Sequence, residues 1–288
     1  MLVMLFIMVP RAQVSAVRIN EVLEIDPDII DPTLLKPANL KRGFVEFKEV
    51  SFRYPGADQP ALNSITFAVK PGELTAIIGG TGSGKSTLIN LITRFYDVES
   101  GSVLVDGVDV REMSQKALRA KIGFVPQKTV LFTGTIAENI KYGKEDATME
   151  EIEHVAHVAQ ATEFILGIKA GFDYPIAQGG TNISGGQKQR LSIARALIRK
   201  AEIYIFDDSF SALDFKTDAK LRAALKSEIT EATVFIIAQS VSTVRDADRI
   251  IVLDDGQISG IGTHEELLNT CKVYREIVAS QLSREELA

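Results

Sequence analysis

The strongest chemical signal in this chain is a run of nine residues, Gly79-Gly80-Thr81-Gly82-Ser83-Gly84-Lys85-Ser86-Thr87. A loop that wraps phosphate needs backbone N–H groups turned inward, and glycine reaches those dihedrals at low cost. A helix opening at Lys85 would add unpaired N–H groups and the positive end of its dipole. Lys85 is spaced to reach the β- and γ-phosphates of a nucleoside triphosphate, and Ser86 to ligate Mg2+ through its hydroxyl. Gly79, Gly82, Ser83, Gly84 and Thr87 complete the cradle. Such spacing arises by chance in on the order of one chain of this size in a hundred. Asp207 ends the apolar run Ile203-Tyr204-Ile205-Phe206. A carboxylate there, beside a phosphate loop, can hold Mg2+ through water. Alone it would say little, because acidic residues often end strands; with the loop it is persuasive.

The elements around these residues must be strands that end at the site and helices that cover them. Leu74 to Ile78 reads as a buried parallel strand, and after the glycine loop Leu88, Leu91, Ile92 and Phe95 repeat at helical spacing. Short apolar runs at Ile122–Val125, Ile203–Phe206, Val234–Ile237 and Ile250–Leu253 alternate with helical stretches, which predicts a parallel α/β sheet. Upstream, Val45, Phe47, Val50, Phe52 and Tyr54 nearly alternate, with a skip that predicts a bulge, and Ile65, Phe67 and Val69 follow. Their polar alternate positions predict an antiparallel sheet with one wet face. About 80 mainly helical residues separate the strands near 124 and 205, including a capping box at Thr148 and Glu151. A crossover that long is a lobe in its own right.

Composition narrows the class. Of 288 residues, 45% are apolar and 24% charged, the balance of a folded globular protein. The net charge of −6 and the lack of a Lys/Arg block argue against nucleic acid as a partner. The single Cys271 excludes an intrachain disulfide framework. Met1 to Val9 is apolar, shorter than the roughly 20 residues of a membrane span. With helical spacing continuing to Leu23 and Arg11 and Arg18 beyond the apolar run, it reads as the end of a truncated transmembrane helix. The rival reading is a greasy terminus docked on its own domain. Pro27, Pro32 and Pro37 make residues 24–42 an extended linker. His154 and His157 with Glu150 and Glu153 read as a solvated helix face rather than a metal site, and His264 as a helix-start residue.

Asn182-Ile183-Ser184-Gly185-Gly186-Gln187, ahead of a helix through Leu197, resembles the LSGGQ signature of the ABC transporter ATPases, with Ile183 in place of leucine. The resemblance runs from about Gly43 to Leu282. It implies an α/β fold: a P-loop NTPase core with a parallel sheet, an antiparallel β subdomain and a helical, signature-bearing lobe at roughly 128–200. Residues 283–288 would be a tail. By the same resemblance Tyr54 looks like the aromatic that stacks on adenine, and Gln127 like the glutamine that reaches Mg2+ and water. Ser211-Ala212-Leu213-Asp214 looks like the loop crossing the dimer interface. Leu131 to Ile140 is similar to a segment of exporter-type members. ATP and Mg2+ are the implied cofactors. In the family two such domains pair head to tail, so Ser184, Gly185, Gly186 and Gln187 would serve the partner's nucleotide and couple hydrolysis to the membrane domains. That places the chain at the cytoplasmic face of a membrane.

Two departures weigh against full activity. After the Mg2+ aspartate the family usually has glutamate as general base; here it is Asp208. One methylene fewer retracts the carboxylate by up to about 1.5 Å, when a base must come within roughly 2.6–3.2 Å of its water. Where the family usually has histidine at the γ-phosphate, this chain has Gln239, whose amide donates a hydrogen bond but carries no charge. Gln178 also stands where exporters often have glutamate. Asp208, Gln239 and Gln127 are thus the catalytic candidates of a weakened site. The expected protein is one subunit of a heterodimeric exporter, with a second, non-identical subunit supplying the competent base. A homodimeric exporter half with a working aspartate, a soluble ABC-type ATPase and a nucleotide-gated regulatory subunit are the alternatives.

Overall fold

The computed structural model describes residues 2–34, 36 and 42–285. Pro37 of the linker and residues 286–288 of the expected tail lie outside the described residues. The chain divides into two units, Met1–Asp31 and Pro32–Ala288. In the first, helix α1 (Leu2–Leu23) runs unbroken through Pro10, and the large apolar side chains described in it, Phe6 and Val22 among them, are exposed. No helix among the described residues is long and apolar enough to cross a membrane. In the second unit the Lys36 N–H donates to the Glu112 carbonyl and its ammonium lies 2.6 Å from the Glu112 carboxylate.

The strands are β1 (Val45–Phe52), β2 (Leu62–Val69), β3 (Leu74–Gly79), β4 (Ser100–Val105), β5 (Val108–Asp109), β6 (Ile122–Val125), β7 (Gly134–Thr135), β8 (Pro175–Ile176), β9 (Ile203–Asp207), β10 (Thr233–Ile237), β11 (Arg249–Asp254) and β12 (Gln257–Gly262). An antiparallel sheet has the order β2-β1-β4-β5, and the expected bulge lies between Phe47 and Val50. The six-stranded sheet has the order β12-β11-β3-β10-β9-β6, parallel except for the β11–β12 hairpin at one edge. Helices α2 (Lys85–Ile92), α3 (Gln115–Ala120), α4 (Ile136–Lys141), α5 (Met149–Val158), α6 (Thr162–Leu166), α7 (Gly185–Leu197), α8 (Phe215–Glu228), α9 (Val241–Val244), α10 (His264–Thr270) and α11 (Lys272–Glu285) complete the unit.

The apolar runs of the parallel strands follow from burial on both faces. Side chains alternate across a strand, so Ile77, Ile203, Ile205, Phe235, Ile237 and Leu253 join one core with the antiparallel sheet and α2. Their neighbours Ile78, Tyr204, Phe206, Ile236 and Val252 join a second core with α5, α7 and α8. The central sheet is the common wall of both.

One expectation needs correction. Phe95 does not belong to α2, which stops at Ile92 because Arg94 turns to a φ of +51°. Within the mainly helical lobe between β6 and β9, β7 and β8 pair antiparallel. Helix α11 continues through residues 283–285 of the expected tail.

Candidate active site

Register sets the site. Ile237 at the end of β10 pairs with Ile77 of β3 on one side and Asp207 of β9 on the other, while Phe206 pairs with Val125 at the end of β6. The loops carrying Gly79–Gly84, Gln127, Asp208 and Gln239 therefore leave the sheet at the same edge, its carboxyl end, where ligands bind in open α/β sheets.

In the phosphate loop, Gly82 and Gly84 have φ of +83° and +97°, conformations that side chains rarely adopt. A Cβ on Gly79 would lie 2.2 Å from the Leu253 carbonyl, whereas one on Gly80 or Gly82 would meet nothing within 4 Å. One part of the loop is packed against β11 and the other is open. Lys85 Nζ donates to the Gly79 and Gly80 carbonyls at 2.9 and 2.6 Å. Burial lowers its pKa, against the opposing pull of Asp207 and Asp208. Ser86 Oγ donates to Asp207 Oδ1 at 3.4 Å. Burial raises the pKa of Asp207, with the Ser86 hydrogen bond opposing. This pair of hard oxygen donors beside an open, N–H-rich loop fits Mg2+ on a triphosphate.

The three catalytic candidates meet on one atom. Asp208 Oδ2 accepts from Gln239 Nε2 at 2.9 Å and from Gln127 Nε2 at 3.3 Å. Asp208 sits at a φ of +48°, a left-handed conformation that Asp tolerates better than most residues, and its N–H donates to the Ile237 carbonyl. Gln281 of α11 staples the next loop: its amide donates to the Gln239 carbonyl and accepts from the Val241 N–H, both at 2.7 Å. Tyr54 lies near the phosphate-loop helix, its hydroxyl 3.0 Å from Thr87 Oγ1.

Ser184, Gly185, Gly186 and Gln187 stand apart at the start of α7. Ser184 and Gln187 cap that helix reciprocally: Gln187 N–H donates to Ser184 Oγ, and Ser184 N–H to Gln187 Oε1. No hydrogen bond among the described residues joins them to the phosphate loop. Gln178 lies in a short 3-10 turn upstream. His154 pairs with Glu228 at 2.8 Å, and His264 opens α10 with its ring nitrogen 2.7 Å from the Tyr274 hydroxyl. Sequence reading missed Gln281, and also Thr129, whose hydroxyl donates to the buried Gln189 of α7 at 2.6 Å. Neither carries a sequence signal, because each acts across a tertiary contact.

A glycine loop at the carboxyl edge of a parallel sheet, with a lysine at its helix and an acidic strand end beside it, defines a P-loop nucleotide-binding ATPase domain. The ABC transporter family model matches residues 62–211, and the chain belongs to that family. It is similar to an uncharacterized ABC transporter ATP-binding protein of Mycobacterium tuberculosis, at 47% identity over 98% of this chain and 49% of the relative. It also resembles an ATP-dependent lipid A-core flippase of Haemophilus influenzae, at 40% identity over 95% of this chain and 46% of the relative. A solved bacterial Atm1-family ABC exporter with ATP bound superposes with a TM-score of 0.91 at 34% identity, covering 96% of this chain and 48% of that one. The chain thus spans about half the length of the relatives it matches. ATP with Mg2+ is the ligand of domains of this class.

Proposed function

We propose that this chain is the cytoplasmic ATP-binding domain of an exporter subunit of multidrug or lipid-flippase type, and that its own nucleotide site is catalytically weakened. The lipid A-core flippase among its relatives supports the transport class. In this reading Gly79 to Thr87 grip the triphosphate, Tyr54 stacks on the base, and Ser86 and Asp207, with Gln127, hold Mg2+, which neutralises phosphate charge when bound. Residues 1–23 end a transmembrane helix, residues 24–42 link it to the ATPase domain from Gly43 to Leu282, and the signature at Ser184 to Gln187 completes the competent site of a second, non-identical subunit.

The observation that carries the weakened site is the surrounding of Asp208. Its carboxylate is one methylene short, and one of its oxygens is occupied by two amide donors, Gln239 and Gln127. An amide, unlike imidazole, neither carries charge nor passes a proton near neutral pH. A water beside this carboxylate therefore finds a base that is short and already engaged. The purified full chain should bind ATP with Mg2+ yet turn it over slowly. Asp208→Glu combined with Gln239→His should raise the rate of phosphate release at least tenfold wherever the chain can self-pair. Rapid phosphate release by the unmodified chain, with no second polypeptide present, would overturn the weakened site.

A further inference from the structure

We infer that Tyr96 is a positioning residue for nucleotide binding, holding Tyr54 in the attitude that receives the base. The inference rests on the proposed role of Tyr54 and adds to it the means by which that ring is fixed.

Tyr54 is braced on two sides by rings. Phe52 and Tyr96 lie 4.9 and 5.2 Å from it, centroid to centroid, at interplanar angles of 83° and 86°. Phe52 and Tyr96 also touch each other at 5.4 Å. Such edge-to-face contacts are favourable because the positive rim of one ring meets the negative face of another. The phenol oxygen of Tyr54 is held separately, 3.0 Å from Thr87 Oγ1 on the phosphate-loop helix.

Tyr96 reaches this place through a turn of unfavourable backbone geometry. After α2, Arg94 takes a φ of +51° though it is 3% exposed, a conformation that persists only where the surroundings enforce it. The enforcement is visible: its guanidinium makes a two-point ion pair with Asp97, Nε to Oδ1 at 2.8 Å and NH2 to Oδ2 at 3.1 Å. The Phe95 N–H closes the turn onto the Asn90 carbonyl at 2.9 Å. The chain is thereby folded back so that Tyr96 meets Tyr54. Both ends of one short helix therefore reach the same aromatic ring, Thr87 near its start and Tyr96 beyond its end. Base platform and phosphate cradle are one rigid piece, whose spacing is set before nucleotide arrives. Preorganisation of that kind strengthens binding by removing the cost of ordering the ring.

The test compares ATP with inorganic tripolyphosphate, which has no base, by calorimetric titration of the full chain in Mg2+. Tyr96→Leu should weaken ATP roughly threefold to tenfold, the range of one aromatic pair, and leave tripolyphosphate unchanged. Tyr96→Phe, which keeps the ring, should restore ATP affinity. Retained tripolyphosphate binding shows that the variant is folded. Equal losses for both ligands, or no loss for ATP in Tyr96→Leu while Tyr54→Leu is impaired, would overturn the positioning role. If Tyr54→Leu itself binds ATP normally, the reading of Tyr54 falls, and this inference with it.

Discussion

Asp207 and Lys85 are opposed charges that burial disfavours, and each moves toward its neutral form. For Asp207 the direction has a binding consequence. A carboxylate with a raised pKa holds its proton at a higher pH than the ordinary value near 4, and in the role proposed for Asp207 that proton would compete with Mg2+ for the same oxygens. Mg2+-dependent ATP affinity should therefore fall as pH is lowered, beginning above the range of an ordinary aspartate. Titrations of the full chain across pH 4 to 7 in Mg2+ check this, and Asp207→Asn should flatten the profile while lowering affinity throughout. Lys85→Ala should cost more than any other single change in the loop, since it removes the one basic side chain of residues 79–87.

Elements are where sequence legibility divided. Every strand buried on both faces announced itself as an apolar run, and the β1 bulge showed as a skip in alternation. The strands that went unread, β4, β5, β7, β8 and β12, are short, at edges or rich in small residues. In β12, a Cβ on Gly260 would come within 2.9 Å of Leu267 and 3.1 Å of Cys271, so α10 demands a glycine that strand propensity disfavours. Phe95 misled because helical spacing does not register a left-handed exit at Arg94. Of the candidate site, local chemistry pointed to the phosphate loop and Asp207, and departure from a familiar pattern pointed to Asp208 and Gln239. Their meeting on one oxygen was not readable, since it depends on β6, β9 and β10 being neighbours.

Stability at this scale is testable in the lobe and in the central sheet. Glu151 accepts from Lys144 and caps α5 at Thr148, which holds its pKa down at about 2. A depressed carboxylate stabilises the fold above its unfolded pKa near 4.5, and that contribution is lost as pH falls toward 2. Acid unfolding followed by circular dichroism should show this loss between those values, and Glu151→Gln should remove it by lowering stability at neutral pH instead. Phe235, fully buried in β10, fills the core beneath the antiparallel sheet. Phe235→Ala should cost about 3–5 kcal/mol by denaturant unfolding.

At the scale of the whole molecule, the phosphate loop and the signature answer to different tests. Ser184→Ala should leave ATP binding by the purified full chain within about twofold, yet sharply reduce ATPase activity in the proposed complex with its second subunit. Lys85→Ala should do the reverse to binding. Phosphate release and nucleotide titration, measured side by side, separate the two.

The reciprocal cap between Ser184 and Gln187 has a bearing on how two such domains would close. The tip that would greet a neighbour's nucleotide has the Ser184 and Gln187 amides already engaged and its turn already wound. Closure would then need little folding at the contact, and the entropy usually surrendered by a floppy loop on association has been settled when the chain itself folded. Quicker engagement, and a firmer hold for the same contacts, are what such a ready-made edge favours.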